Sequence, residues 1–376
     1  MGAWMNIAIR TDASETIGTG HLMRCLTLAN ALLAQTGQAC LFVSRTMPPS
    51  FVGRVRSAGH RWAPLPPATT TLPAGDGPPH AAWLGCSQEE DASQCIASLE
   101  GPIDGLIVDH YALDARWGAP LRAATGATIL WIDDLGDRPL DADLLLDQNL
   151  QPPGADRYAG RLSAGCLELK GPQYALLRPE FAEARAKLPG GRARIFVFVS
   201  GADPDDLTGS LLRALDRRLP SEVELEAVIG GLHPKRAALE ALCATRPGWS
   251  LGVDVNDIAR RMARAHLGIG AGGSTTWERC AVGLPGALFV MADNQLEVVR
   301  AAVQAGVAID VGDSRKPDWG LVADRAAALL ADAAALQAMR DRCLSLVDGR
   351  GAQRVASTFS QLIAARARSL SAQPPT

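Results

Sequence analysis

A histidine stands at the end of a short glycine run, Ile17-Gly18-Thr19-Gly20-His21-Leu22-Met23-Arg24. Two glycines ahead of a helix let the backbone pass close to a ligand, and the helix start offers free N–H groups and a positive dipole end. That dipole opposes a cationic imidazolium, so the neutral, basic form of His21 is favoured, which suits a general base. The same position also suits a histidine that merely caps or packs, and spacing alone leaves both readings open. The run is no dinucleotide fingerprint, because Met23 stands where G-x-G-x-x-G needs its last glycine. Nor is there a Walker A motif, for the chain contains no Gly-Lys pair.

A second candidate is Gly270-Ala271-Gly272-Gly273-Ser274-Thr275-Thr276-Trp277-Glu278. Small residues bare the backbone amides, the hydroxyls of Ser274 and Thr275 can donate, and a helix start follows, the composition of an anion nest. Glu278 falls about one turn into that helix, within reach of a ribose diol. The alternative is a tight turn with Ser274 as N-cap and Glu278 as a favourable first-turn acid. Weaker candidates are Asp12 and Ser14 ahead of the first glycine loop, and Asp109, Tyr111 and Asp133-Asp134 at strand ends. Acidic strand ends are ordinary turn formers. Asp293-Asn294-Gln295 could hydrogen-bond a sugar, His233 reads as a turn, and His60, His80, His110 and His266 receive no role.

These residues need elements to hold them. Met5–Arg10 is a short apolar run, the helical pattern His21–Gln35 stops at Gly37, and Ala39–Ser44 reads as the next strand. Gly105–Asp109 and Thr128–Asp133 are apolar runs ending in aspartate, as buried parallel strands do at a carboxyl edge. Strand–helix alternation restarts at Arg194–Val199 and continues through Glu222–Ile229, a helix near 235–245, His266–Ile269, a helix from about Thr275, and Gly286–Met291. The expected architecture is α/β: two Rossmann-like domains with parallel sheets facing across a cleft. The first, 5–165, carries the Gly-x-Gly-His loop, and the second, 166–345, carries the Gly270–Glu278 turn. In 346–376 the amphipathic segment Ala352–Arg366 packs back on the first domain, ahead of a disordered tail. The stretch Pro64–Pro79 reads as a surface loop.

Composition narrows the function. Of 376 residues 47% are hydrophobic and 20% charged, enough for buried cores, and the net charge of −3 lacks the basic excess of a nucleic-acid binder. The arginine-rich stretches at 260–264 and 366–368 read as solvated helix faces. Eight scattered cysteines form no CxxC pair and no zinc spacing, so no metal is expected. No run approaches the ~18 apolar residues of a membrane span, and the first residues lack a signal-peptide pattern. A soluble, cytoplasmic protein is expected.

Taken together, the motifs resemble the PseG family, the hydrolases of UDP-2,4-diacetamido-2,4,6-trideoxy-β-L-altropyranose in pseudaminic acid biosynthesis and flagellin glycosylation. The resemblance begins with Arg10, Asp12, Ser14, Ile17-Gly18, Gly20-His21, Arg24-Cys25-Leu26 and Leu28-Ala29. It continues through Ile132-Asp133-Asp134-Leu135, Asp147-Gln148-Asn149, Gly171–Arg178, Gly230–Pro234, Gly270–Glu278 and Ala292–Gln295, to about residue 310, and returns at Asp348–Gly351. One departure is Ser200, where the family has the first of two glycines. The resemblance implies a GT-B fold akin to MurG and inverting, metal-independent hydrolysis at the anomeric carbon, without a cofactor. It implies His21 as the catalytic histidine, with Tyr111 and Asn294 at the sugar. Gly272, Gly273, Ser274, Thr275 and Glu278 would hold UDP, and Asp12, Gly18, Gly20 and Gln295 would shape the substrate loops. The expected partner is a UDP-sugar substrate, with no nucleic acid and no stable membrane association, the protein being a monomer or weak dimer. An amide nest can stabilise a departing UDP anion, and a neutral His21 could activate water, an effect of ~10²–10⁴ in rate. The rival readings are a UDP-sugar-dependent glycosyltransferase of the same fold and a non-catalytic nucleotide-sugar-binding protein.

Overall fold

The side chains of Ile7–Thr11 are all buried, with Ile7 and Ile9 in one apolar cluster and Ala8 in another. Burial on both faces is what a parallel strand between two helix layers requires. In the computed structural model, which describes residues 5–14, 16–68, 78–151, 154, 156–185, 190–201 and 203–371, this segment is β1. It is followed by β2 (Leu41–Ser44), β3 (Arg61–Pro64), β4 (Gly105–Asp109), β5 (Thr128–Ile132), β6 (Leu144–Asp147) and β7 (Leu167–Lys170). Their order is β3-β2-β1-β4-β5-β6-β7, with every pairing parallel. A second parallel sheet comprises β8 (Arg194–Phe198), β9 (Glu224–Ile229), β10 (Trp249–Val253), β11 (Leu267–Ala271), β12 (Gly286–Val290) and β13 (Ala308–Asp313), in the order β10-β9-β8-β11-β12-β13. Each sheet reverses its strand order once, between β1 and β4 and between β8 and β11. Such reversals part the loops at the carboxyl edge and open a crevice where ligands bind.

The described residues fall into two compact units, one built from 5–149, 154–176 and 350–371, the other from 177–349. The first sheet runs past the border expected at 165, because β7 pairs with β6 from Leu144↔Leu167 to Asp147↔Lys170. The reason is that β7 is an edge strand. Leu167 is 43% exposed and Glu168 is exposed too, so the segment lacks the all-apolar signature of an inner strand.

The helix Gly20–Thr36 stops at Gly37, which takes φ +75 and donates its N–H to Leu33 O at 2.8 Å, a left-handed cap that favours glycine. The helix Gly351–Ser371 packs on it, placing Val355, Ala356, Phe359 and Ile363 in the same core as Leu22, Leu26 and Ile9. Gly105 makes room for this: a Cβ there would lie 2.7 Å from Ile363 Cδ1 and 3.0 Å from the Phe359 ring. Truncating Phe359 to alanine in such a setting costs about 3–5 kcal/mol. The expected surface loop at 64–79 and the expected tail fall partly on 69–77 and 372–376, outside the described residues. No helix among the described residues is long and apolar enough to cross a membrane.

Candidate functional site

The chain leaves β1 through Asp12, whose carboxylate is buried. It accepts from Arg10 Nη1 at 2.7 Å and Nη2 at 3.0 Å, and from the backbone N–H groups of Arg45 (2.7 Å) and Thr46 (3.2 Å), with His110 Nε2 at 3.2 Å. Burial alone would raise its pKa, but Arg10 and then His110 override that and hold it well below the carboxylate range. Asp12 therefore ties the loop after β1 to the loop after β2. Beyond it, Ser14 accepts the Gly18 N–H on its carbonyl and the Ile17 N–H on its hydroxyl, closing a turn in which Gly18 takes φ +77. Gly20 opens the helix, and a Cβ there would meet nothing within 4 Å.

His21 is buried, its Nδ1 lying 2.5 Å from Asp109 Oδ1. Asp109 ends β4 and pairs with Thr11, so the strand reversal brings the two loops side by side. Arg24 shares a helix face with His21, three residues on, and donates to the same carboxylate from Nε at 2.6 Å and Nη2 at 2.7 Å. Burial would raise the Asp109 pKa, yet Arg24 and then His21 hold it well below the carboxylate range. An ionised carboxylate only accepts. Nδ1 of His21 therefore carries the hydrogen that faces it, and in the neutral ring the lone pair belongs to Nε2.

Arg24 also reaches Asp134 Oδ2 at 3.3 Å, and Asn149 Nδ2 donates to the same oxygen at 3.3 Å. Tyr111 donates its hydroxyl to Asp134 Oδ1, while its ring stands edge-on to His21 at 4.5 Å between centroids. Burial first and Asp134 second raise the Tyr111 pKa, so the phenol keeps its proton. Asp133 turns away from this group and holds the loop beyond β5, accepting from Leu135 N, Gly136 N and Arg138.

In the second unit β11 leads through Gly272–Ser274 into the seven-residue helix Thr275–Ala281. Glycine is required at Gly270 and Gly272, where a Cβ would collide with Phe198 O and with Val299 Cγ2. The Ser274 side chain is exposed and caps nothing, so the turn is not held by a serine N-cap. Helix starts leave their first N–H groups without intrahelical acceptors, here those that follow the glycines. Glu278 is half-buried, its carboxylate accepts no hydrogen bond among the described residues, and burial raises its pKa against the pull of Arg178 and Arg279. Beneath the turn, buried Arg279 donates to Ala271 O at 2.7 Å, and burial lowers its pKa to about 10.

Gln295 accepts the Met291 N–H on Oε1 at 2.9 Å and lies beside Gly273, whereas Asn294 is exposed on the same short turn. His21 and Tyr111 are thus brought together in one unit, and Gly272–Glu278 with Gln295 in the other. Asn294 lies in the second unit. His233 does form a turn. Its Nδ1 accepts the Lys235 N–H at 3.2 Å, so Nε2 donates to Asp203 at 3.1 Å, and Ser200 Oγ accepts the Asp203 N–H. Sequence reasoning had Asp109 and Asp134 only as weak strand-end candidates and gave Arg24 no role beyond its place in the matched motif. The available signal was an acid ending the strand that neighbours β1.

No family model matches the chain. Over 198 residues it is 27% identical to the spore coat polysaccharide biosynthesis protein SpsG of Bacillus subtilis, an alignment covering 51% of this chain and 58% of that protein. Over 267 residues it is 24% identical to the UDP-2,4-diacetamido-2,4,6-trideoxy-β-L-altropyranose hydrolase of Campylobacter jejuni, covering 70% of this chain and 83% of the relative. The chain is thus similar to a PseG-type hydrolase, as its motifs suggested. Among solved structures, MurG of Acinetobacter baumannii superposes with a TM-score of 0.64 at 16% identity, over 95% of this chain and 99% of that one. The fold is that of the GT-B glycosyltransferases.

Proposed function

We propose that this protein hydrolyses UDP-2,4-diacetamido-2,4,6-trideoxy-β-L-altropyranose to UDP and the free sugar, with inversion and without a metal. The observation that carries this reading is the buried His21–Asp109–Arg24 cluster at the carboxyl edge of the first sheet. Likeness to the Campylobacter hydrolase over most of the chain supports it. In this reading water gives a proton to His21 Nε2 as its oxygen bonds to the anomeric carbon, and the bond from that carbon to the diphosphate oxygen breaks. UDP leaves with the electron pair. Asp109 keeps the second ring hydrogen on Nδ1, so the basic nitrogen faces the chemistry, a contribution of about 10²–10⁴ in rate. The amides of Gly273, Ser274 and Thr275 hold the diphosphate, while Gly272 keeps the turn open, its own N–H bonding Phe289 O at 3.0 Å. Glu278 holds the ribose, with Tyr111, Asn294 and Gln295 at the sugar. Gly18 and Gly20 leave backbone space around His21.

A second reading, favoured by the fold shared with MurG, is transfer of the sugar to an acceptor hydroxyl that takes the place of water. Incubation with the UDP-sugar alone separates the two. Release of UDP without an acceptor, lost in His21→Ala while UDP affinity stays within twofold, supports hydrolysis. Strict dependence on an acceptor supports transfer. UDP-sugar binding with no turnover under either condition identifies a binding protein.

A further inference from the structure

Three aromatic rings, His80, Trp83 and Tyr111, meet beside His21. His80 and Trp83, in the segment 78–84 ahead of the helix Gln88–Ser98, pack on each other with centroids 4.4 Å apart. Both reach Tyr111, His80 at 5.3 Å and Trp83 at 5.9 Å, and Trp83 stands edge-on to His21 at 6.4 Å. His21 and Tyr111 are buried, whereas His80 and Trp83 keep part of their surfaces open. The open part of this cluster therefore belongs to the two residues that the reaction above does not use.

The chemistry of that surface is specific. Burial lowers the His80 pKa, which favours the uncharged imidazole, whose ring face can cover an apolar group. Trp83 adds a broad π face and an indole N–H, an obligate donor that has no acceptor among the described residues. Two ring faces beside the indole donor match a group that pairs a methyl with a carbonyl oxygen. An acetamido substituent on a hexose is such a group, whereas a hydroxyl offers no methyl and a free amine is itself a charged donor.

We propose that His80 and Trp83 form the wall of the sugar subsite that selects an acetamido group, the indole N–H bonding its carbonyl and the two rings covering its methyl. This rests on the hydrolase reading and adds to it the residues that choose the sugar. Neither is a proton carrier, so their loss changes which sugar is accepted more than it changes catalysis at saturation.

The experiment compares the diacetamido UDP-sugar with two analogues, one bearing hydroxyl at C2 and the other at C4 in place of acetamido. Wild type should favour the diacetamido compound over one analogue by about 100-fold in kcat/KM, the range available to a pocket that recognises a small apolar group. Trp83→Ala should cut that preference to less than about tenfold, chiefly through KM, with Trp83→Phe in between because it keeps a ring and loses the donor. His80→Ala should reduce it by a smaller factor. If wild type releases no UDP from any of the three, the hydrolase reading falls, and dissociation constants from calorimetry on the same compounds carry the same expected ratios. Should Trp83→Ala fail to fold, as judged by thermal melting, Trp83→Phe and His80→Ala decide. A preference unchanged in the folded variants, in rate or in affinity, overturns the proposal.

Discussion

Replacing Asp109 by asparagine changes one oxygen to an NH₂ and should remove most of the activity. The carboxylate now accepts from His21 Nδ1 at 2.5 Å and from Arg24 at 2.6 and 2.7 Å, and it is fully buried. The amide has a single accepting oxygen. Turned toward His21, its NH₂ donates to Nδ1 and moves the ring hydrogen to Nε2, the nitrogen that must accept a proton. Turned toward Arg24, it sets donor against donor. In either arrangement one Arg24 donor meets the NH₂, because Nη2 bonds the oxygen that faces His21 and Nε bonds the other. Nothing then holds the ring hydrogen on Nδ1 as the carboxylate does, and the wrong tautomer is populated. The expected loss is about 10²–10⁴ in kcat, the usual worth of a general base, with KM within a few-fold because the effect lies in the transition state.

Stability should fall as well. Removing one member of a buried charge pair costs about 3–5 kcal/mol, and among the described residues Arg24 keeps as its ion-pair partner only Asp134, at 3.3 Å. At about 2–4 °C per kcal/mol for units of this size, the lower figure corresponds to a melting point depressed by roughly 6–12 °C. UDP release followed from pH 5 to 9, beside thermal melting, measures both effects. The double variant with His21→Ala should be no slower than His21→Ala alone. A variant that melts like wild type and turns over within tenfold of it at every pH would refute the assignment.

Further outcomes follow from other contacts. Gly272→Ala drives a Cβ into Val299 and should destabilise the second unit by about 1–3 kcal/mol. Denaturant unfolding should show partial rescue by Val299→Ala, and no rescue would argue against the clash. Glu278→Ala should weaken UDP binding about 10–100-fold, as loss of a charged hydrogen bond does, and should abolish discrimination against 2′-deoxy-UDP in calorimetry. Retained discrimination would remove the glutamate from the ribose. Asp12, Asp91 and Asp109 all have pKa values held below their ordinary range. Their stabilisation is complete above the unfolded carboxylate pKa of about 4 and is lost as pH falls toward the folded values, because the unfolded chain then binds more protons. The melting temperature should drop steeply below pH 4, and Asp12→Asn should show a shallower acid limb. Equal slopes would contradict this.

Most inner strands were legible in the sequence because burial on both faces leaves an uninterrupted apolar run. β4 has the expected bounds, and β1, β5, β8 and β12 differ from expectation by one or two residues at an end. The edge strands β7, β10 and β13 mix exposed positions with buried ones, β3 has no fully buried position, and none of the four carries such a run. β6 is apolar but only four residues long, inside a segment rich in aspartate. His21 was legible from its type and its place behind two glycines. Asp109 and Asp134 were not, for an aspartate at a strand end is commonplace until its partner is known. Their pairing with residues 85 and 110 positions away is a property of strand order. Asp12 was legible as a loop-shaping residue beside the glycine run, but its partner, the buried Arg10 two residues before it, was not.

The helix Gly351–Ser371 has a consequence for how the protein is made. On the ribosome the residues of the second unit emerge as one nearly unbroken stretch and can condense while translation continues. The first unit has to wait. Until Phe359 and Ile363 arrive above Gly105, the floor beneath the histidine helix is open to water, so the segment that bears the proposed base is the last to be sealed.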